Sequence, residues 1–307
     1  MVDILKGLIG AGGTFLLSWV LPSGVFLAGL TLLVAPAIGW LRPAGDLAAL
    51  AALQTSVGVA FAAMALGLAL TAASTPLYRL LEGYAWPAGL RTRGVQRQRR
   101  RKQALTKRLE AGGEGWEQAL LYEQLDRFPA DDAQIAPTAL GNAMRAFETY
   151  GVDRFNLDSQ SLWTELLSVA PEGLRTEMGR ARASVDFFVC VTYLSPVFGF
   201  AALAAGLVKG VEAGLLVLGV AAVAAAPLWY RLAVAGTRYW STTVRALVHL
   251  GRKPLAAGLG LRLPGTIEEE RELWRLVAAF VFYPYDESWS SELDRFRAAA
   301  PEDGGGK

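Results

Sequence analysis

The side chains most able to do chemistry are scarce in this chain. It has one cysteine, Cys190, and one histidine, His249. A lone thiol forms no internal disulfide, and a transition-metal site needs several His, Cys or carboxylate ligands together. Cys190 lies inside a long apolar stretch, where a thiol behaves as a small hydrophobe. Gly10-Ala11-Gly12-Gly13-Thr14-Phe15 begins like a dinucleotide fingerprint. Its sixth position is Phe15 rather than Gly, and no acid follows at the required distance. We read it as a flexible joint. Glu268, Glu269, Glu270 and Glu272 crowd together, but Thr266 stands three before Glu269, the spacing of a capping box. Acids in a first helical turn also suit the helix dipole. No P-loop, H-E-x-x-H or nucleophile elbow occurs. The expectation is a protein that is not an enzyme, with no catalytic residue, metal or cofactor.

The chemistry that remains is ionic. Residues 83–109 contain no acid, yet hold Arg91, Arg93, Arg97, Arg99, Arg100, Arg101, Lys102, Lys107 and Arg108. The next segment is the reverse: Glu110, Glu114, Glu117, Glu123, Asp126, Asp131 and Asp132 face Arg127 alone. Cations beside a bilayer attract anionic headgroups, about 1 kcal/mol for each Lys or Arg near the surface. Arg91, Arg93, Arg97, Arg99, Arg100, Arg101 and Lys102 are therefore the predicted contacts to anionic lipids or to a cytoplasmic protein partner. No nucleic-acid motif accompanies them, and no nucleic-acid partner is expected.

The elements that carry these groups are set by where charge is missing. Residues 7–41, 47–78, 187–208 and 213–230 contain no Asp, Glu, Lys or Arg. A hydrocarbon core about 30 Å thick is crossed by roughly 20 apolar helical residues. The sequence thus predicts an all-α integral membrane protein with four transmembrane helices, in two hairpins, around a helical cytoplasmic domain. The first stretch exceeds one crossing, and Pro22-Ser23 offers a break. The expected division is an interfacial helix in residues 1–21, a first hairpin in 22–80 and a cytoplasmic domain in 81–186. A second hairpin follows in 187–232, cytoplasmic helices in 233–297 and a disordered tail in 298–307. The first two spans are placed at about 22–41 and 53–78.

Lys and Arg concentrate on cytoplasmic flanks. The cluster after span two, Arg175, Arg180 and Arg182 before span three, and Arg231, Arg238 and Arg245 after span four agree. The outer loops are balanced, Arg42 with Asp46 and Lys209 with Glu212. Both termini are expected on the cytoplasmic side of the inner (plasma) membrane.

Within the spans, small side chains recur at helical spacing: Gly58, Ala62 and Ala69; Ala63 and Gly67; Ser195 and Gly199; Ala202 and Gly206. Lipid supplies no hydrophobic drive for helix pairing, so such faces serve close backbone approach, within the chain or between copies. Hydroxyls such as Thr31, Thr71, Thr192 and Ser195 bond to their own helix carbonyls or line a weakly selective pore. Gly58, Ala62, Gly67, Thr71, Ser195 and Gly199 are the candidate packing or pore-facing positions.

The water-facing segments read as helices, with no strand alternation. A basic helix covers about 95–110. A helix at 116–127 has Trp116, Leu120, Leu121 and Leu125 as buried candidates, and further helices open at Thr138, at Asp158 or Ser159, and after Pro171. The last of these runs into span three. The helix after span four is loosened at Pro254 and at the Gly258-Leu259-Gly260 string, and Thr266 starts another that ends near Tyr283-Pro284.

Two strings, Pro76-Leu77-Tyr78-Arg79-Leu80-Leu81-Glu82-Gly83-Tyr84 and Pro137-Thr138-Ala139-Leu140-Gly141-Asn142 with the later Leu162-Trp163, resemble segments of uncharacterised bacterial multi-pass membrane proteins. The resemblance implies no activity, cofactor or substrate. It singles out Glu82, Gly83, Tyr84, Gly141, Asn142 and Trp163 as a cytoplasmic motif of unknown role.

The functional expectation is a homo-oligomeric, channel-like or membrane-perturbing assembly controlled by the cytoplasmic domain. The alternative is a non-catalytic membrane anchor that recruits a cytoplasmic partner. An ion-coupled transporter has little support, because such proteins place ionisable groups within the spans.

Overall fold

The computed structural model describes residues 13–38, 48–208 and 210–297, and these are helical throughout, joined by turns. The only strand-like pairing among them is an isolated antiparallel bridge between Leu261 and Arg297. The helices are α1 (Gly13–Val34), α2 (Ala48–Ala72), α3 (Ser74–Glu82), α4 (Ala88–Glu110), α5 (Gly115–Leu125), α6 (Ala139–Glu148), α7 (Tyr150–Phe155), α8 (Trp163–Val169), α9 (Glu172–Val208), α10 (Ala213–Gly258), α11 (Ile267–Phe282) and α12 (Glu287–Asp294). Four carry segments long and apolar enough to cross a membrane: Gly13–Val34, Gln54–Ala72, and parts of α9 and α10.

The chain divides into two compact units. The first comprises Met1–Arg91 and Gly179–Arg238. Its helices approach closely at glycines. A Cβ on Gly67 of α2 would lie 2.9 Å from the Val20 side chain of α1. One on Gly199 of α9 would lie 2.7 Å from the Gly219 carbonyl oxygen of α10. Val34, Ala202, Ala205 and Leu215 form a small buried cluster, with Leu30 and Phe198 packed against it. The outer face of this unit is apolar, with Leu32, Phe61, Phe200 and Val217 exposed.

The second unit comprises Thr92–Met178 and Tyr239–Lys307. Leu140, Leu157, Leu166, Leu247, Val248, Leu273, Trp274 and Leu276 are fully buried in it. Val244, Leu247, Val248, Gly251 and Leu255 share one face of α10, following the 3.6-residue period. Gly251 admits the Leu166 side chain to 2.9 Å of where a Cβ would sit. Arg252 pairs with the buried Glu270, whose carboxylate also accepts from Trp274 Nε1 at 3.1 Å. The Arg252 guanidinium lies 3.7 Å from the Phe155 ring centroid.

Several features depart from the sequence reading; among them, α4 already begins at Ala88 rather than near 95, and α8 opens at Trp163 rather than at Asp158 or Ser159. The first apolar helix is under way by Gly13, nine residues before the expected start of span one, and it continues through Pro22. A π-helical turn at Leu16–Val20 precedes the proline, and such a turn relieves the clash that proline makes inside an α-helix. Ser23 Oγ donates to the Trp19 carbonyl at 2.7 Å. Span two is divided rather than continuous: α2 ends at Ala72, and α3 restarts ahead of Pro76. The helix after span four does not loosen at Pro254 but runs on to Gly258, where the Gly258-Leu259-Gly260 string ends it. Leu255 and Ala256 are buried just past the proline, and their packing sustains the helix. In α5 only Leu121 is buried, whereas Trp116 and Leu120 are exposed. The expected interfacial helix lies largely, and the tail from 298 wholly, outside the described residues, as do Arg42, Asp46 and Lys209.

Candidate functional site

In the first unit, polar groups converge on Asp186, the residue of α9 just before a charge-free stretch. Tyr78 of α3, the last residue of another such stretch, donates its hydroxyl to Asp186 Oδ1 at 2.7 Å. The buried Trp19 side chain of α1 lies close to the same carboxylate. Arg182, one turn earlier on α9, lies 3.7 Å from Asp186 Oδ2. Tyr193 of α9 returns the contact by donating to the Leu77 carbonyl at 2.7 Å. Asp186, Glu82 and Trp19 are all buried. A buried carboxylate is costly unless it is paired and hydrogen-bonded, and here donors reach it from the first hairpin as well as from its own helix. The cluster therefore ties the two hairpins together.

In the second unit, Asn142 and Thr138 organise the segment ahead of α6. Asn142 Oδ1 accepts from Ala136 N at 2.8 Å, and its Nδ2 donates to the carbonyls of Ala136 and Thr138 at 3.1 and 2.8 Å. Thr138 Oγ1 caps the helix by accepting from Gly141 N. Gly94 of α4 lies against this loop: a Cβ there would fall 2.8 Å from the Pro137 oxygen. Lys102 Nζ donates to the carbonyls of Pro129 and Ala130 and pairs with Asp132 at 2.6 Å. Arg99 reaches the Asp132 carbonyl at 3.4 Å.

Most of the motif residues thus acquire backbone roles. Gly83 has φ +86° and ends α3 in a left-handed turn that favours glycine. The Trp86 indole donates to the Leu80 carbonyl freed at the same helix end. Asn142 and Gly141 belong to the α6 cap. Trp163 opens α8 half-buried, and Tyr84 lies at the surface. Glu82 to Tyr84 fall in the first unit, and Gly141, Asn142 and Trp163 in the second.

The packing candidates separate as well. Ser195 Oγ donates to the Ala222 carbonyl at 2.6 Å, and Gly199 meets Gly219, so both are spent within the α9–α10 hairpin. Gly67 is spent against Val20, and Thr71 Oγ1 donates to the Gly67 carbonyl at 2.8 Å. Gly58 and Ala62 lie on an exposed face of α2, where a Cβ on Gly58 would meet nothing within 4 Å. Arg91, Arg93, Arg97, Arg100 and Arg101 are exposed.

His249 is engaged rather than free: its ring nitrogen and Tyr150 Oη share a hydrogen bond at 2.7 Å, and the Phe155 ring meets it edge-on. Arg245 lies over the Tyr150 ring and pairs with Asp126 at 2.8 Å. Among the described residues no group of His, Cys, Asp and Glu could hold a metal ion. An open cleft of about 860 Å³ is lined by Arg262, Arg271 and Arg295 together with Glu268, Glu269 and Glu272. Arg271 is committed there to the carbonyls of Asp153 and Arg154 and to Asn156. Burial raises the Glu148 carboxyl above its usual range, with Arg145 partly opposing the shift. The Arg275 hydrogen bonds hold Glu272 below it.

No family model matches the chain, and no curated protein or solved structure matches it.

The residues missed by sequence reasoning are Trp19, Tyr78 and Asp186. Asp186 and Tyr78 each stand at the end of a charge-free stretch, and that shared edge was the available signal.

Proposed function

We propose that the chain is a non-catalytic multi-pass membrane scaffold, anchored by four spans and using its second unit as an attachment platform on the cytoplasmic side. The observation that carries this reading is the fate of the span hydroxyls. Thr31, Thr71 and Thr192 donate to carbonyls of their own helices, and Ser195 to a carbonyl of the next helix. Groups so engaged contribute little to a polar conduit. The exposed Leu32, Phe61, Phe200 and Val217 suit lipid as the surrounding solvent, and the arginine-rich segment after span two supports a cytoplasmic second unit.

A second reading, a homo-oligomeric channel-like or membrane-perturbing assembly controlled by the second unit, is favoured by the uncovered face of α2. Gly58, Ala62 and Ala69 lie there with small side chains and no covering helix among the described residues.

Native mass measurement in mild detergent, paired with ion flux from liposomes, separates the two readings. A monomer or compact dimer that releases no ions agrees with the scaffold. A symmetric ring that conducts replaces it with the channel-like assembly. Quantitative recovery of full-length protein from a detergent-free supernatant removes both.

A further inference from the structure

We propose that one face of α4 docks on the anionic headgroups of the bilayer, and that the basic cluster is divided between this face and cations that serve the fold. The proposal rests on the membrane reading above but not on the choice between scaffold and oligomer.

The division follows from helical phase. At 3.6 residues per turn, Gly94, Gln98, Lys102 and Leu105 share one side of α4. Gln98 and Leu105 are buried, Gly94 abuts Pro137, and Lys102 is tied to residues 129–132. Arg99 sits beside this side and reaches the same loop. The far side presents Arg93, Arg97, Arg100 and Lys107, with Arg101 and Arg108 at its edge next to Gly94, all exposed and none with an ion-pair partner among the described residues. The sequence cluster thus contains two populations, and Lys102 leaves the set of predicted lipid contacts.

The character of the far side selects its partner. Between Arg93 and Arg108 its largest apolar side chain is Ala104. Protein interfaces draw their affinity from buried aromatic, aliphatic or arginine anchors seated in pockets, and a smooth stripe of cations provides no such centre. A plane of lipid phosphates asks only for charge, each cation near the surface strengthening attachment about fivefold. The position in the chain agrees. The second candidate span ends at Ala72, and only α3 and a short turn intervene before α4.

The test uses full-length protein with Ala104→Cys, at the centre of the stripe, labelled with a fluorophore. The native Cys190 is buried. The protein is placed in nanodiscs of zwitterionic lipid, or with phosphatidylglycerol added, each containing a headgroup-level quencher. The expected result is quenching that requires phosphatidylglycerol and reverses at about 1 M salt, where the screening length is about 3 Å. It weakens at least tenfold in Arg93→Gln/Arg97→Gln/Arg100→Gln/Lys107→Gln, and changes less than twofold in Arg99→Gln. Equal quenching in both lipids, or none in either with the protein retained in the disc, overturns the proposal. So does relief by added RNA or an acidic polypeptide at low salt, with inorganic phosphate as the control for simple competition. Loss of the protein from the disc is a different outcome: it removes the membrane reading, and with it this proposal.

Discussion

Tyr78 and Asp186 are 108 positions apart in the chain and share a 2.7 Å hydrogen bond that joins the helix after the second span to the start of the third. Trp19 of α1 lies close by, and the bond itself joins elements of both hairpins. The packing of the first unit is therefore specified by a polar contact as well as by its glycine crossings.

Removing the phenol should loosen this junction. Tyr78→Phe is expected to cost about 1–2 kcal/mol, the usual range for a hydrogen bond to a carboxylate moderated by a membrane setting. Thermal unfolding of the purified protein in detergent measures it. An unchanged midpoint would mean that Arg182 satisfies Asp186 alone.

The two glycine populations should respond oppositely to bulk. Gly199→Leu drives a side chain into the Gly219 carbonyl and Val223 and should lower the melting midpoint and the yield of folded protein. Gly58→Leu meets no atom within 4 Å. It should leave the midpoint nearly unchanged and lower the oligomer fraction only if copies associate through that face. Melting and native mass measured on both variants give the answer.

Asn142→Ala removes an acceptor from Ala136 N and a donor from two carbonyls. Leaving such buried groups unmet costs about 1–3 kcal/mol each, reduced by whatever water enters. The expected loss is about 3 kcal/mol. Hydrogen exchange should show the segment ahead of α6 opening first, while exchange in α1 and α2 stays as it was.

Glu148 gives a pH signature. Burial raises its folded pKa above the ordinary 4.5, with Arg145 opposing. The folded state therefore holds more protons than the unfolded state just above pH 4.5, and stability falls as pH rises through that window. The decline ends once the folded carboxyl is ionised. Glu148→Gln should flatten this part of the melting profile. A profile identical to that of the parent protein would show that Arg145 cancels the burial effect.

The long apolar helices were legible because exclusion of charge is a signal written along the chain, needing no knowledge of neighbours. Local caps were legible for the same reason: Thr266 accepts from Glu269 N, whereas Gly83, which ends α3, was not read as a cap. What stayed hidden depends on partners distant in sequence. Nothing near Lys102 says that it faces the carbonyls of 129 and 130 while Arg100 faces outward; the loop packed on Gly94 sets that phase. Trp116 reads as core by type, yet α5 is covered only on its Leu121 side. Pro22 reads as a break because a π-helical turn is not a pattern of residue types.

The candidate spans differ in how they meet a change of bilayer thickness. At about 1.5 Å per residue, α1 is roughly 33 Å long, close to the hydrocarbon depth, whereas α10 is roughly 69 Å and exceeds it twofold. A thinner or thicker membrane leaves α1 little choice but to tilt or to reshape the lipid beside it. Along α10 the charge-free stretch is only residues 213–230, about 27 Å between Glu212 and Arg231, so a thicker bilayer would strain that helix sooner than α1.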